Sequence, residues 1–507
     1  MRSNSPLRNP NLQVTLRNVG MVLPAVGLMA VASIVVCVVF REAYAIPPLL
    51  ATAAISFALG AGLYFPFRRA GESRLRHALL AAAIAWSLAM FLGALPFYFT
   101  AHLVPPGSLA DNVELSYFRD MANSFFESVS GLSTTGLSMS PRPIDLPRTL
   151  QWWRMFLQWV GGLGVVVLML TFIASAGTKT STLYFAERED RTHPSILSTA
   201  RTLWWIYVLY TAGGVLALWA VKMPLWDALH HSMTALATGG FALDPMSVIA
   251  YDSLAVELIL VVLMLLGGMN FAVHFELLRG RGRLLWQDAQ TRAFLLLAVF
   301  WFFALFAENW VALTTSSLGQ VARLSFFQSI SAMTTTGFQN TMPLSAWSEA
   351  AKLVLVAAMF IGSSTGSTGG GIKVLRGLML VRGLRWQLRR NLAAPSEVVP
   401  FRFGRQIFSE EEGDRRVRAA ALLTFLWVGG IAIGVVVLLH TAPAGYTLGD
   451  VVLEVTSAQS NVGLSSGITG PTMSTWAKLM LSLNMLTGRL EVIPILLLVR
   501  SLFRGFR

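Results

Sequence analysis

The 507-residue chain has one cysteine, Cys37, and only 13% of its residues are charged. A single cysteine excludes an intrachain disulfide, so cysteine usage says nothing about the redox compartment. So small a charged fraction excludes a soluble domain of this length, since such domains carry about 25% charged residues. The histidines are scattered, and none belongs to the HExxH helix of a zinc protease. These absences point away from a disulfide scaffold, a soluble enzyme and a zinc protease.

Long apolar runs take the place of charge. Hydrophobic residues make up 54% of the chain and recur in runs of about 20, the length that crosses a bilayer core. We therefore predict an all-α polytopic membrane protein with an additional N-terminal helix pair before eight further spans. The predicted spans are Gly20–Phe40, Ile46–Phe65, Leu79–Phe99, Trp152–Ile173, Leu203–Val221, Leu254–Val273, Ala293–Leu313, Trp347–Ile361, Ala419–Leu439 and Trp476–Val499.

The net charge of +13 is concentrated in alternate loops. This alternation is the positive-inside bias, which places the arginine-rich loops and the N-terminus in the cytoplasm. It explains the basic balance without a nucleic-acid partner. The arginine-rich loops carry Arg68, Arg69, Arg74, Arg76, Arg188, Arg191, Arg279, Arg281, Arg283, Arg385, Arg389, Arg390, Arg402, Arg405, Arg415, Arg416 and Arg418, and the other loops carry Asp111, Glu114, Asp244 and Asp252.

The segment before Gly20 carries Arg2, Arg8 and Arg17. It has no short apolar core followed by a small-residue cleavage site, so it does not have the pattern of a signal peptide. We predict that this segment is unstructured or forms an interfacial anchor.

One short sequence phrase occurs four times, at Phe126–Leu137, His231–Phe241, Gln328–Phe338 and Glu454–Leu464. The four copies align on Gly136, Gly240, Gly337 and Gly463. We call these the aligned glycines. Six positions before each stands a hydroxyl residue, five before stands a small residue, and a bulky apolar residue follows. In that order the residues are Ser130, Thr234, Ser331 and Ser457; Gly131, Ala235, Ala332 and Ala458; and Leu137, Phe241, Phe338 and Leu464.

The segment that leads into each phrase is too short to cross a bilayer, as in Ser116–Ser130 and Trp226–Thr234. Such a segment is predicted to be a re-entrant half-helix whose C-terminal dipole favours a cation. Glycine then lets the following strand turn its carbonyls inward, and a ring of carbonyls replaces the water shell of potassium. Neighbouring hydroxyls would add acceptors. The predicted potassium-binding residues are Thr134, Thr135, Gly136, Thr238, Gly239, Gly240, Thr335, Thr336, Gly337, Asn461, Val462 and Gly463.

With these phrases, the chain resembles the potassium-translocating subunits of bacterial Trk systems, in the Trk/Ktr/HKT superfamily. The resemblance covers nearly the whole length, and the opening pair of spans is similar to the Trk branch, since Ktr subunits have eight spans. Beyond the four phrases it rests on motifs in the second span of each unit, namely Gln158–Gly164, Gly267–Phe271, Gly362–Lys373 and Gly488–Glu491.

The resemblance implies four covalently linked pore units, a homodimer in the bacterial inner membrane, and a cytosolic TrkA-like nucleotide-binding regulatory subunit. Potassium is then the substrate, no cofactor is covalently bound, and a nucleotide, ATP or NAD, is expected on the partner alone. Four glycines go with potassium preference in this family. Copy two has Gly239 where copies one and three have threonine, and copy four has Asn461 and Val462, so the four sites are unequal.

The units are predicted as residues 1–70 for the helix pair, then 71–178, 179–280, 281–395 and 396–507.

The glycine-rich loop, Gly362–Gly371, is predicted to interrupt the second span of unit three and to gate the pore from below. Its glycines Gly366 and Gly371 have the spacing of a phosphate-binding loop. However, Ile372 stands where that motif needs lysine, and no strand is predicted before it. A simple packing kink remains the alternative. The predicted gate residues are Gly362, Gly366, Gly369, Gly370, Gly371 and Lys373, of which Lys373 could instead snorkel to the interface.

Arg489 lies within the last apolar span, where an unpaired charge costs about 2.5–3.5 kcal/mol. We predict that it faces the cavity below the ring and repels cations, or that it forms a structural ion pair with Glu491.

Several functions stay open at this point. A proton- or sodium-coupled potassium symporter and a less selective monovalent cation channel would use the same architecture. Reversal of the current against each ion gradient would separate them. A membrane-embedded acyltransferase or hydrolase is a remote alternative, distinguished by dependence on zinc or an acyl donor. We expect no enzyme activity.

Overall fold

The computed structural model describes residues 9–104, 112–175, 196–312, 316–341, 343–394, 397–404 and 406–505. Helices make up most of these ranges, and the only strands in them form one antiparallel pair, Phe401–Phe403 and Gln406–Phe408. The α-helices are Pro10–Val22, Pro24–Val39, Ile46–Tyr64, Leu75–Leu103, Val113–Tyr117, Met121–Leu132, Arg148–Ser175, Ile196–Ala220, Leu225–Leu236, Leu254–Gly268, Phe271–Leu278, Leu284–Gln287, Ala289–Ala312, Leu318–Met333, Glu349–Phe360, Val374–Leu392, Glu410–Thr441, Leu448–Ser460, Thr475–Leu490 and Val492–Arg504.

Six helical segments of the described residues are long and apolar enough to cross a membrane. Their outward faces carry large apolar side chains such as Leu28, Trp205 and Phe425, with 63%, 68% and 74% exposure. A surface of this kind suits lipid, so the chain is an all-α, multi-pass membrane protein. The six segments are Pro10–Val39, Ala43–Phe67, Leu75–Leu103, Ala200–Ala220, Ala289–Ala312 and Glu410–Thr441.

The N-terminal segment differs from its prediction. It is helical from Pro10, ten residues before the predicted start, and Asn9 caps the helix by accepting a bond from the Asn11 amide. Arg17 donates to the Ala70 carbonyl, and Asn18 donates to Ser73. These contacts dock the segment against the loop before the third span, so from residue 10 onward it is neither unstructured nor a separate anchor. Residues 1–8, including Arg2 and Arg8, lie outside the described part, as do Arg188 and Arg191.

Three of the four second spans are broken, whereas only the break in unit three was predicted. In unit two the chain bends by 109° between the helices Leu254–Gly268 and Phe271–Leu278. In unit four it bends by 116° between Thr475–Leu490 and Val492–Arg504. Asn270 caps the new helix in unit two, and Glu491 takes a left-handed φ of 65° in unit four. Treating Leu254–Val273 and Trp476–Val499 as uninterrupted was therefore wrong. The unit-one helix, Arg148–Ser175, is continuous.

Four short helices end at the four phrases, and we call them pore helices 1 to 4: Met121–Leu132, Leu225–Leu236, Leu318–Met333 and Leu448–Ser460. A 12-residue helix spans about 18 Å, well short of a hydrocarbon core of about 30 Å. Their C-terminal ends therefore stop inside the protein, next to the aligned glycines.

The units close into a ring through their second spans. Each second span packs against the pore helix of its own unit and against that of the next unit, and the fourth packs against the first. A polar contact recurs at each junction, ten residues before Gly161, Gly267, Gly362 and Gly488. The contacts are Gln151 with Trp226, Glu257 with Arg323, Lys352 with Asp450 and Lys478 with Asp120.

We predict that the junction between units three and four depends on Lys352. Its ammonium lies 2.8 Å from Asp450 and 3.0 Å from Glu349, and the side chains of Lys352 and Asp450 are 1% and 3% exposed. Lys352→Met would leave a buried carboxylate unpaired and should cost about 3–5 kcal/mol, measured by thermal or denaturant unfolding in detergent. Arg142→Met is the control, because its pair with Asp145 is exposed and should contribute at most about 1 kcal/mol. Equal losses in both variants would contradict the assignment.

Candidate functional site

The four phrases share one backbone geometry. The residue two before each aligned glycine takes a left-handed φ, at Thr134, Thr238, Thr335 and Asn461, with values of 57°, 51°, 59° and 55°. Each aligned glycine also has a positive φ, from 67° to 99°. In every copy the amide directly before the glycine donates to the carbonyl at the hydroxyl position, as Thr135 does to Ser130. The repeated letters therefore encode a repeated turn.

The turns meet around one axis. A Cβ added to Gly136 would collide with the Gly239 carbonyl, one at Gly240 with that of Thr336, one at Gly337 with that of Val462, and one at Gly463 with that of Thr135. Each aligned glycine thus touches the carbonyl that precedes the glycine of the next copy, and the fourth touches the first. The aligned glycines and these carbonyls form a closed ring with no room for a side chain.

Most hydroxyls near the ring are engaged with the protein, whereas Thr134 Oγ1 is buried and has no hydrogen-bond partner among the described residues. Thr335 Oγ1 accepts from the Gly370 amide at 2.7 Å, and Thr135 Oγ1 accepts from Asn461 at 3.1 Å. Thr336 pairs with Thr334, while Thr238 donates to Thr368. These bonds connect the ring to neighbouring segments. The role of the hydroxyls as acceptors for an ion stays a prediction, beside that of the backbone carbonyls.

A cavity of about 220 Å³ opens on one side of the ring and is lined by all four aligned glycines. Asp244 brings a carboxylate to its wall, and Arg154 brings a guanidinium. Arg154 is itself paired with the buried Glu127 at 2.6 Å and lies 4.2 Å from the centre of the Phe241 ring. The sequence predicted a ring formed by the four phrases, but neither this cavity nor its charged wall.

Two buried carboxylates brace the strands that leave the ring. Glu127 accepts from the Met139 amide at 2.6 Å, and Glu454 accepts from the Ser466 and Thr469 amides at 2.9 and 3.0 Å. Both stand nine residues before an aligned glycine. Sequence reasoning missed them, although a carboxylate recurring inside an apolar half-helix is a usable signal.

The glycine-rich loop lies against the other side of the ring. Ser363 donates to the Thr334 carbonyl at 2.9 Å, and the Gly370 amide donates to Thr335. A Cβ at Gly370 would collide with the Ser460 carbonyl, and one at Gly362 or Gly369 would meet Thr335. The loop is therefore packed directly below copies three and four, with its glycines at the closest approaches.

The loop also satisfies the broken helix of unit two. The Ser364 and Thr368 amides donate to the Gly268 and Gly267 carbonyls at 2.9 and 3.1 Å, and the Phe271 amide donates to Gly366 at 3.2 Å. Backbone groups freed by the break could not remain unpaired at membrane depth. The loop therefore supplies the hydrogen-bond partners for the backbone groups that the bend leaves free.

Arg489 bridges three parts of the molecule below the ring. Its guanidinium donates to the carbonyls of Thr368, Gly161 and Gly162 at 2.5, 2.6 and 2.8 Å. The alternative ion pair with Glu491 is wrong, because Glu491 pairs with Arg376 at 2.5 Å. Arg489 thus ties the loop to the second span of unit one. The Lys373 ammonium donates back to the Gly369 carbonyl, within the loop, and does not snorkel away from it.

The loop residues 362–366 also fit the letters of the GxSxG nucleophile pattern. The Ser364 hydroxyl, however, has no hydrogen-bond partner among the described residues, so no base there activates it. The described residues also contain no cluster of three or more metal-binding side chains. The site is an assembly of backbone carbonyls and hydrogen-bonded loops.

Comparison with known proteins shows the family of this chain. Residues 46–504 match the family model described as "TrkH: Cation transport protein". The chain belongs to the TrkH family. A TrkH relative from Salmonella typhimurium, named Trk system potassium uptake protein, is 33% identical over 465 residues, covering 89% of this chain and 90% of the relative. The relative of the same name from Vibrio parahaemolyticus is 31% identical over 502 residues, covering 96% and 98%.

A solved member of the TrkH family has the same fold. The crystal structure of the potassium transporter TrkH from Vibrio parahaemolyticus superposes with a TM-score of 0.82 at 28% sequence identity. The match covers 97% of this chain and 99% of that structure. The chain is therefore a full-length match to a helical membrane transporter of this family.

Proposed function

We propose that the protein carries potassium ions across the bacterial inner membrane, through the ring of aligned glycines and past the glycine-rich loop. The observation that carries this proposal is the closed ring, in which each glycine abuts the carbonyl of the next copy. Four pore helices aim their negative ends at this ring, which favours a cation there. Relatives named potassium uptake proteins support potassium as the substrate.

In this proposal an ion enters from the cavity that carries Asp244 and loses its water to the ring carbonyls. The glycine-rich loop then blocks the route until it moves. Its contacts are hydrogen bonds to the ring, to the unit-two bend and to Arg489, each of net value about 0.5–1.5 kcal/mol. A loop held by several modest bonds is well suited to reversible opening.

We also propose that a cytosolic TrkA-like subunit, which carries any nucleotide, moves this loop. The loop leads through Lys373 directly into Val374–Leu392, a helix with Arg389 and Arg390 in its last turn. The positive-inside bias supports a cytoplasmic position for this helix and for the N-terminus. A partner that displaces the helix would pull on the loop. The protein would work as a homodimer, which cross-linking in native membranes would test.

The first prediction concerns the ring. Gly136→Ser and Gly337→Ser place a Cβ on a neighbouring carbonyl, at φ values of 96° and 88° that serine rarely adopts. Such strain costs about 1–3 kcal/mol, so the ratio of potassium to sodium flux in proteoliposomes should fall by about tenfold or more. Gly319→Ser in pore helix 3 is the control, since its Cβ meets nothing within 4 Å. An unchanged ratio in both folded ring variants would reject the ring as the filter.

The second prediction concerns the loop. Removing residues 364–367 should raise the basal potassium flux, because the obstruction shortens while Ser363 and Gly370 keep their bonds to copy three. The flux ratio of potassium to sodium should stay near that of the wild type. Removing residues 363–370 should raise flux and lower the ratio as well, since those bonds are lost. Reduced flux in a folded shorter loop would indicate a packing role.

The third prediction concerns Arg489. Arg489→Ala removes three hydrogen bonds and a positive charge, so potassium flux measured without a partner should rise, chiefly in the outward direction. At about 6 Å and an effective dielectric near 20, that charge repels a cation by roughly 3 kcal/mol. Arg489→Lys keeps the positive charge but loses the planar guanidinium that donates these bonds, so it should raise flux less than Arg489→Ala does. Exposed Arg500→Ala is the control. Wild-type flux in folded Arg489→Ala would remove the residue from the pathway.

A further inference from the structure

Copy two of the ring lacks a side chain that the other copies have. The residue before the aligned glycine is threonine in copies one and three and valine in copy four, but it is Gly239 in copy two. A Cβ at Gly239 would lie 2.6 Å from Oε1 and 2.8 Å from Nε2 of Gln158. The side-chain amide of Gln158, from unit one, therefore fills the space that a side chain would occupy.

Gln158 also bonds to the ring itself. Its Nε2 donates to the Gly239 carbonyl at 2.6 Å, and its Oε1 accepts from the Phe241 amide at 3.1 Å. One fully buried amide thus bridges the backbone on both sides of Gly240. The corresponding carbonyls of Thr135, Thr336 and Val462 accept no hydrogen bond from the described residues.

The second spans show a matching substitution. Gly161, Gly267 and Gly488 each pack on the carbonyl four residues before an aligned glycine, whereas Gly362, at the equivalent sequence position in unit three, meets the Gly370 carbonyl and Thr335. Three residues earlier stand Gln158, Met264, Met485 and Met359, all fully buried. Each second span packs on the next pore helix, and Met359 shares an apolar cluster with Val462. The one glutamine of this set thus contacts the one copy that has glycine, and Met359 packs with the valine of copy four.

We propose that Gln158 is a positioning residue for the second copy of the ring and sets its ion selectivity. This inference rests on the proposed function and deepens it. The Gln158 amide fixes the direction of the Gly239 carbonyl and shares one of its lone pairs, so this carbonyl binds a cation more weakly than the other three. Without Gln158, the backbone at Gly239 and Gly240 would lose both its packing and its anchor.

The test changes both partners, Gln158 to methionine and Gly239 to threonine. Copy three has this combination, with Met264 in the preceding unit and Thr336 before its aligned glycine. Gln158→Met loses both hydrogen bonds to the ring backbone and should lower the potassium-to-sodium flux ratio in proteoliposomes by about three- to tenfold. Gly239→Thr alone should abolish flux, because its side chain meets Gln158. The double variant should restore the flux and return the ratio to within about twofold of the wild type.

Gln151→Met is the matched control. Gln151 is buried in the same helix and also contacts pore helix 2, through Trp226, but it does not contact the ring. This variant should lose thermal stability and keep the wild-type flux ratio. If Gln151→Met lowers the ratio as much as Gln158→Met does, the effect is general loosening of the helix and the positioning role is overturned.

Gly136→Ser separates failure of this inference from failure of the proposed function. A lower ratio in Gly136→Ser with a wild-type ratio in Gln158→Met overturns the role of Gln158 and leaves the ring as filter. Unchanged ratios in both reject the ring. If Gln158→Met does not fold, the double variant decides alone, since recovery of selective flux supports complementarity and its absence overturns it.

Discussion

Backbone groups at membrane depth must find partners inside the protein, because lipid offers them none. The ring, the glycine-rich loop and the bends all depend on this constraint. Four pore helices stop inside the protein, and three second spans break there. Amides of the loop bond to the carbonyls freed by the bend at Gly267 and Gly268, and Arg489 bonds to three more carbonyls. At the ring, the carbonyls of Thr135, Thr336 and Val462 accept no hydrogen bond from the described residues, and in the proposed function a cation takes the place of the missing donors.

The four units repeat a plan while differing in chemistry. At the junctions the same position holds glutamine, glutamate or lysine, so the contact is a hydrogen bond in one case and an ion pair in the others. Behind the ring, Glu127 has Arg154 as a partner, whereas Glu454 is held by hydroxyls and amides. One chain with four linked units allows each position to change separately. A tetramer of identical subunits could not pair a single glutamine with a single glycine.

The loop and the ring share contacts, which in the proposed function would link gating to selectivity. Ser363 and Gly370 lie near the two ends of the loop, where Ser363 donates to the Thr334 carbonyl and the Gly370 amide donates to the Thr335 hydroxyl. Arg489 connects the loop to Gly161 and Gly162, next to the helix turn that carries Gln158. A movement of the loop large enough to open the route therefore changes the surroundings of at least two copies. The boundaries of the predicted units stay a prediction, because the units are interleaved by these contacts.

Composition and repetition alone determined the membrane class, the four phrases and the break at the glycine-rich loop, because apolar length and glycine at a fixed spacing are local properties of the chain. Single letters could not reveal that Leu254–Val273 and Trp476–Val499 bend, because the bends need hydrogen-bond and ion-pair partners elsewhere in the chain. The partner of Arg489 was likewise decided by tertiary structure, because Glu491 is nearer in sequence but faces Arg376. Gln158 shows the same limit most clearly. Its role depends on a glycine 81 residues away that only ring closure brings within 2.6 Å.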